Sequence, residues 1–228
     1  MKAPRLDIWY RIGRLLSRIF LPTFGSITVV GRENVPHDGP LLIACNHQTD
    51  SDPALVVYAI DRPLWFVAKR SLFFGPIISY LLKRVHVFPV DRDGRDIQAL
   101  RWAQEMLDSG RALLIFPEGS RSPGALSVPP TDGLAYIALR TGVPILPVAL
   151  TGVEKIGGMW KTAIHFQRLK VVIGEPFTLA PAPGRIDREL LQTMTQETMQ
   201  HIAALLPGEY RGAYAALGDG AEGSGSSA

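Results

Sequence analysis

A histidine and an aspartate stand five residues apart in the polar segment NHQTDSD at 46–52. The apolar run LLIAC at 41–45 precedes this segment, and a helical pattern begins at Pro53. One tight turn would bring the Asp52 carboxylate to the imidazole of His47. Such a carboxylate fixes the ring tautomer and stabilises the imidazolium, which leaves the other ring nitrogen as a general base. The alternative role of Asp52 is to cap the next helix, because Pro53 suits a first helical position.

A second polar segment, PEGSRS at 117–122, follows the apolar run ALLIF at 112–116. It offers a carboxylate, an open backbone N–H, a hydroxyl and a guanidinium within one turn, in Glu118, Gly119, Ser120 and Arg121. These groups suit a polyol that carries an anion, since a carboxylate accepts from hydroxyls, whereas a guanidinium and N–H groups donate to phosphate. The alternative is an ordinary turn with a solvated ion pair.

Arg92 ends a third run, VHVFPVDR at 85–92. Its guanidinium could hold a phosphate through two hydrogen bonds, or it could be an ordinary surface arginine. Other catalytic patterns are absent from the sequence, which has no P-loop, no G-x-S-x-G and no H-E-x-x-H. The single cysteine, Cys45, cannot form a disulfide within the chain or a four-thiolate zinc site.

Seven short β-rich runs alternate with helical patterns along the chain. The runs lie at 26–30, 41–45, 65–69, 85–90, 112–116, 145–150 and 170–173, and the helical patterns at 53–60, 72–82, 93–108, 133–141 and 186–205. Continuous apolar strands that alternate with helices predict an α/β fold with a mostly parallel central sheet flanked by helices. In such a sheet, functional groups gather beyond the carboxyl ends of the strands, where both polar segments begin.

An amphipathic helix is predicted in residues 1–22, before the sheet. Its apolar residues recur at helical spacing on one side, and three arginines recur on the other: Ile8, Ile12, Leu15, Leu16, Ile19 and Phe20 against Arg11, Arg14 and Arg18. One interpretation is a helix packed on the domain with a solvated basic face. The other is an interfacial membrane anchor, in which each arginine near anionic headgroups adds ~1 kcal/mol.

The 228 residues are enough for one domain, which we place at 23–207. No run free of Asp, Glu, Lys and Arg exceeds 13 residues, so a membrane-spanning helix is not predicted. The whole chain has a net charge of +3, of which the first twenty residues carry +4 and the remainder −1, and this distribution does not favour nucleic acid as a partner. The tail from 208 to 228 is rich in Gly, Ala and Ser and is predicted to be disordered.

In this order, the segments resemble the four sequence blocks of the glycerolipid acyltransferases. The blocks are NHQTDSD at 46–52, the stretch from Lys69 to VDR at 90–92, FPEGSRS at 116–122 and VPILPV at 143–148. Within that family the chain is most similar to the bacterial 1-acyl-sn-glycerol-3-phosphate acyltransferases. The resemblance covers about residues 26–175, and the joint occurrence of H-x-x-x-x-D and FPEGSRS at this separation is highly specific.

The resemblance implies a role for each matching residue. His47, oriented by Asp52, would deprotonate the glycerol hydroxyl that attacks an acyl thioester. Arg92, Glu118, Gly119, Ser120 and Arg121 would bind the acceptor and its phosphate, and the 143–148 block would line the acyl chain. The implied product is phosphatidic acid, made without a cofactor or metal from acyl-CoA or acyl carrier protein and a lysophospholipid. The enzyme would lie on the cytoplasmic face of the cell membrane, attached through the N-terminal helix.

Two positions depart from the family pattern. Family members often carry a basic residue just before the glycine of the helix ahead of the fourth block, where this chain has Asp132. Ser120 stands where threonine is commoner. The departure at Asp132 leaves a different lysolipid or a glycolipid open as the acceptor. The sequence is also compatible with a thioesterase and with a lipid-surface binding protein that has no turnover.

Overall fold

The computed structural model describes residues 8–22, 25–91, 96–156, 167–180 and 186–217. Its strands are β1 (Ser26–Val30), β2 (Leu41–Cys45), β3 (Leu64–Lys69), β4 (Val87–Val90), β5 (Ala112–Ile115), β6 (Ile145–Thr151) and β7 (Arg168–Ile173). Its α-helices are α1 (Ile8–Phe20), α2 (Asp52–Ala59), α3 (Gly75–Arg84), α4 (Ile97–Asp108), α5 (Gly133–Thr141) and α6 (Arg188–Ala204). Each element overlaps a run or pattern identified in the sequence.

The seven strands form one sheet in the order β1-β7-β6-β2-β5-β3-β4. The five strands from β2 to β6 run parallel, whereas β7 is antiparallel to β6 and β1 is parallel to β7. The mostly parallel sheet predicted from the sequence is therefore confirmed. Because β2, β3, β4 and β5 point the same way, the segments that follow them meet at one edge of the sheet.

Helices cover both faces of the sheet and bury its central strands. Alternate side chains of β2 enter opposite hydrophobic clusters, one with α2 and one with α4, α5 and α6. All five residues of β2 are buried. This arrangement explains why the strand is continuously apolar, since a strand covered on both faces has no solvent side.

The predicted N-terminal helix is present as α1, and two of the three arginines on its basic side contact the domain. Arg14 and Arg18 both pair with Asp61, which follows α2. Tyr10 is buried, and its hydroxyl donates to the carbonyl of Arg62 and accepts from the N–H of Leu64 at 2.8 Å. Arg14 and Arg18 thus contact the domain, as in the interpretation of a helix packed on it, and they share a single carboxylate, that of Asp61.

The apolar side of α1 points outward and is continued by exposed apolar residues of α3 and of the segment just before it. We call this set the outer apolar surface; it comprises Ile8, Trp9, Ile12, Leu15, Leu16, Ile19 and Phe20 with Leu72, Phe74, Ile77, Tyr80 and Leu81. Leu15 is 57% exposed and Ile77 is 72% exposed. Across the described ranges, no helix is long and apolar enough to cross a membrane.

An aromatic stack joins α1 to the sheet at the start of β4. The sequence pattern includes His86 in this strand, but the strand begins at Val87 and His86 has a φ of 67°. The imidazole of His86 lies between the rings of Tyr10 and Trp65, with centroid distances of 4.6 and 4.3 Å. The left-handed backbone of His86 is uncommon for a residue other than glycine, and it places the ring in this stack.

The disorder predicted from residue 208 onward is wrong for residues 208–217. They form two short 3₁₀ helices, Gly208–Tyr210 and Gly212–Leu217. Leu126 donates its N–H to the carbonyl of Tyr210 and accepts from the N–H of Ala213. Tyr210 and Tyr214 also pack on the cluster under α6, so apolar burial offsets the flexibility suggested by the composition. Residues 218–228 lie outside the described part of the chain.

Candidate active site

The carboxyl end of β2 is fixed to β6 by two amide side chains that the sequence analysis did not single out. Asn46 donates to the carbonyl of Leu150 at 3.0 Å and accepts from the N–H of Leu150 at 2.7 Å. Gln48 also donates to that carbonyl, at 2.8 Å. The Asn46 side chain thus makes the pair of hydrogen bonds to Leu150 that a neighbouring strand's main chain would make, at the point where β2 and β6 separate. The only sequence signal for Asn46 was its position between a buried strand and a histidine.

His47 and Asp52 are brought together beyond β2. Nδ1 of His47 lies 2.8 Å from Oδ2 of Asp52. Because a carboxylate there accepts the Nδ1 proton, Nε2 is the nitrogen left for proton transfer. The His47 side chain is 10% exposed, whereas the Asp52 side chain is fully buried.

Asp52 is held in the loop and does not cap the helix it begins. Its Oδ2 also accepts from the N–H groups of Gln48 and Thr49, at 2.5 and 2.9 Å. Its Oδ1 accepts from the hydroxyl of Thr49 at 3.0 Å. The capping position of α2 belongs to Ser51. Four donors thus contact one buried carboxylate and fix its orientation toward His47.

The 116–122 segment lies beside His47, as the order of β2 and β5 requires. Gly119 has a φ of 63°, and a Cβ there would lie 3.0 Å from Thr131, so this turn needs glycine. Its N–H donates to the carbonyl of Phe116 at 3.0 Å and is therefore not the open donor expected from the sequence. Ser120 is half-buried at the same turn.

Arg121 and Glu118 have opposite surroundings. Arg121 is exposed, and its guanidinium donates to Asp50 at 2.8 Å. Glu118 is only 2% exposed, and its Oε1 accepts from the backbone N–H of His47 at 2.8 Å. Burial raises the pKa of the Glu118 carboxyl from 4.5 to about 7, although the His47 N–H and the nearby Ser122 hydroxyl favour its charged form.

Other cationic candidates lie beyond β3 and β4. Lys69 ends β3, and the next residue, Arg70, donates to both carboxylate oxygens of Asp91, at 2.7 and 2.8 Å. Arg92 lies outside the described residues. Lys69 therefore places a positive charge at the same edge as His47, whereas the charge of Arg70 is paired with Asp91.

Two sequence features are not part of an open site. Asp132 accepts a hydrogen bond from Thr195 of α6 at 3.1 Å, so its carboxylate joins two helices. The 143–148 block, expected to line the acyl chain, forms the start of β6, where Ile145, Leu146 and Val148 have no exposed surface. These residues belong to the core. No cluster of metal-binding side chains occurs within the described ranges.

Comparison with known proteins agrees with this geometry. The family model described as Acyltransferase matches residues 26–151, more than half of the chain. The chain belongs to the acyltransferase family. This acyltransferase is 30% identical over 189 residues to the 1-acyl-sn-glycerol-3-phosphate acyltransferase of Bacillus subtilis, covering 82% of the chain and 92% of the relative. It is 28% identical over 206 residues to the enzyme of that name from Pseudomonas aeruginosa, covering 86% and 77%.

A solved structure supports the same assignment. The acyltransferase matches the crystal structure of the 1-acyl-sn-glycerophosphate (LPA) acyltransferase of Thermotoga maritima with a TM-score of 0.65. The sequence identity is 30%, and the match covers 83% of this chain and 76% of that one. The family resemblance and the α/β fold expected from the sequence are thus confirmed.

Proposed function

We propose that this acyltransferase moves a fatty acyl group from an acyl thioester to the sn-2 hydroxyl of 1-acyl-glycerol-3-phosphate, giving phosphatidic acid for phospholipid synthesis. The observation that carries the proposal is the contact between His47 and the buried Asp52 at the edge where Arg121 and Lys69 also lie. The names of the relatives support the choice of acceptor.

In the proposed reaction, Nε2 of His47 removes the proton of the acceptor hydroxyl as its oxygen attacks the thioester carbonyl. The tetrahedral intermediate then collapses, the carbon–sulfur bond breaks and the thiolate takes the proton from the imidazolium. Asp52 stabilises the imidazolium between these steps. Cys45 is not a nucleophile here, because burial and the nearby Asp52 and Glu118 raise the pKa of its thiol well above the ordinary value.

The direct test is thiol release from palmitoyl-CoA by the purified protein, with and without lysophosphatidic acid, together with detection of phosphatidic acid. Release that requires the acceptor and yields phosphatidic acid supports the proposal. Release of equal rate without acceptor identifies a thioesterase. If no thiol is released from palmitoyl-CoA or from palmitoyl-acyl carrier protein, with or without lysophosphatidic acid, the proposed acceptor is wrong. Other lysolipids are then compared in the same assay.

Arg121 is the described cation best placed to meet the acceptor phosphate, so Arg121→Ala should raise the KM for lysophosphatidic acid. We expect a rise of ~10-fold, because a hydrogen bond to a charged group is lost, with little change in kcat. Asp50→Asn should lower this KM, since it frees Arg121 from its pairing. Arg140→Ala on α5 is the control, and an unchanged KM in Arg121→Ala would contradict the assignment.

We further infer that the protein binds the cytoplasmic face of the cell membrane through the outer apolar surface. An exposed apolar area of this extent on two neighbouring helices suits the acyl boundary of a bilayer, where the lysolipid resides. Because Arg14 and Arg18 share the single carboxylate of Asp61, their combined charge is reduced from two to one, and we expect insertion of apolar side chains to supply most of the affinity. Binding should therefore depend weakly on salt.

Leu15→Glu/Ile19→Glu should reduce co-sedimentation with phosphatidylcholine–phosphatidylglycerol vesicles by at least ~10-fold, since both aliphatic side chains would otherwise insert. The double variant tests the surface better than deletion of α1, because Tyr10 of that helix is buried in the domain. Val30→Glu is the matched control, because Val30 is an exposed apolar residue on β1. Wild-type sedimentation of the double variant would refute this membrane surface.

A further inference from the structure

Both main-chain groups of His47 are held by the 116–122 segment. The N–H of His47 donates to Oε1 of Glu118 at 2.8 Å, and its carbonyl accepts from the N–H of Ser122 at 2.7 Å. The imidazole also stacks on Phe116, with ring centroids 4.2 Å apart and ring planes inclined by 22°. One short segment therefore contacts His47 through its N–H, its carbonyl and its ring.

We propose that the 116–122 segment clamps the catalytic base and that Glu118 is a positioning residue for His47, not a ligand of the acceptor. The burial of Glu118 is the first argument. Its Oε2 is buried and has no hydrogen-bond partner among the residues that the structure describes. Because Glu118 is only 2% exposed, an acceptor hydroxyl in the open site cannot reach this carboxylate without a rearrangement of the protein around it.

The remaining contacts of the 46–52 segment show what the clamp adds. Asn46 and Gln48 are tied to Leu150 of β6, and Asp52 holds the N–H groups on the α2 side of His47. Glu118 and Ser122 supply the hydrogen bonds toward β5, the strand that leads to Arg121. The clamp thus fixes the base relative to the segment proposed to bind the acceptor phosphate.

The free-energy cost of burying the Glu118 carboxyl is consistent with a positioning role. A buried carboxyl with one unsatisfied oxygen is costly, so its presence points to a function other than stability. Its negative charge strengthens the hydrogen bond from His47 and favours the imidazolium formed during the reaction. Among the described residues, the charged or titratable ones that interact electrostatically or by a hydrogen bond with Glu118 are His47, Asp52, Cys45 and Tyr214.

The experiment compares Glu118→Gln and Glu118→Ala in the full chain, with amide hydrogen exchange as the first measurement. Exchange at the His47 N–H should accelerate by ~10-fold or more in Glu118→Ala, because a hydrogen bond to a charged acceptor is lost. Exchange at the Gln48 and Thr49 N–H groups, which are held by Asp52, should not change. Unaltered exchange at His47 would overturn the clamp whether or not the proposed substrate is correct.

The second measurement rests on the proposed function and separates positioning from substrate binding. We expect Glu118→Ala to lower kcat by ~10²-fold with an unchanged KM for lysophosphatidic acid, since a misplaced base slows the chemical step. Glu118→Gln, which keeps an oxygen for the His47 N–H, should recover part of the lost kcat. A raised acceptor KM with wild-type kcat in either variant would overturn the positioning role and make Glu118 an acceptor ligand.

The pH profile gives a readout that a merely structural carboxyl would not change. The wild-type kcat/KM should fall as pH decreases through about 7, because Glu118 becomes neutral and no longer offers a charged acceptor to the His47 N–H. In Glu118→Gln this contribution to the fall should be absent, since the amide does not titrate. Glu154→Gln is the matched control, because Glu154 also has a buried oxygen without a described partner. Identical profiles for wild type and Glu118→Gln would contradict the proposal.

If wild type makes no phosphatidic acid, the proposed function fails while the exchange measurement still decides the clamp. If Glu118→Ala does not fold, Glu118→Gln decides it, because the amide has the same shape. In that variant the His47 N–H should still exchange faster than in wild type, since its acceptor is no longer charged. Equal exchange would overturn the proposal.

Discussion

Replacement of His47 by alanine is expected to lower the kcat of acceptor-dependent thiol release by roughly 10²–10⁴-fold, the range produced by removing a general base. The KM for both substrates should change little, because the ring acts on the reacting hydroxyl and not on the phosphate or the acyl chain. The measurement is steady-state release of CoA thiol with lysophosphatidic acid present.

His37→Ala is the matched control for this experiment. His37 is exposed in the loop after β1, and its loss should leave kcat unchanged. Wild-type turnover in His47→Ala would show that His47 is not the base, even if the acceptor is correct. Loss of acceptor-independent release in the same variant would instead assign His47 to hydrolysis of the thioester.

Asp52→Asn is expected to reduce kcat by a comparable ~10²–10⁴-fold while the protein stays folded. The amide oxygen can replace Oδ2 and still accept from the N–H groups of Gln48 and Thr49. The neutral side chain gives the His47 imidazolium no opposite charge, so the transition state loses stabilisation. Steady-state kinetics and thermal unfolding of the same preparation separate these effects.

Two further variants sharpen the test of Asp52. Asp108→Asn removes an exposed carboxylate at the end of α4 and should not change kcat. Asp52→Ala should in addition destabilise the fold by several kcal/mol, because four donors lose their acceptor in a buried place. If Asp52→Asn retained full activity, the proposed stabilisation of the imidazolium would be untenable.

The strands and most helices could be predicted because their residues follow simple periodic patterns. The run LLIAC at 41–45 is β2 with the same ends, and the pattern at 133–141 is α5. The antiparallel direction of β7 was not predicted, because direction depends on where the chain returns and not on the strand's own residues. The sequence pattern placed His86 in a strand. Its left-handed φ could not be predicted, because it accompanies stacking between two rings that are distant in sequence.

The contact between His47 and Asp52 could be predicted because both residues lie in one short loop. The position of Glu118 could not, since its burial depends on how a second strand is placed beside the first. The sequence left two orientations of α1 open, with Arg14 and Arg18 either in solvent or at lipid headgroups, because a helical pattern shows which residues share a face but not where that face points. Their partner, Asp61, is distant in sequence and gave no local signal.

The pairing of β1 with β7 has a consequence for the order in which the molecule is assembled on the ribosome. Ser26 pairs with Arg168, and β7 is the only described strand that β1 contacts. At the usual rates of synthesis, β1 waits roughly 10–30 s before its partner strand has been made. During this time the central strands can pair while β1 and the preceding α1 remain outside the sheet. Among the described strands, the one synthesised first is thus among the last to join the sheet, and a chain that ends before residue 168 lacks the strand with which β1 pairs.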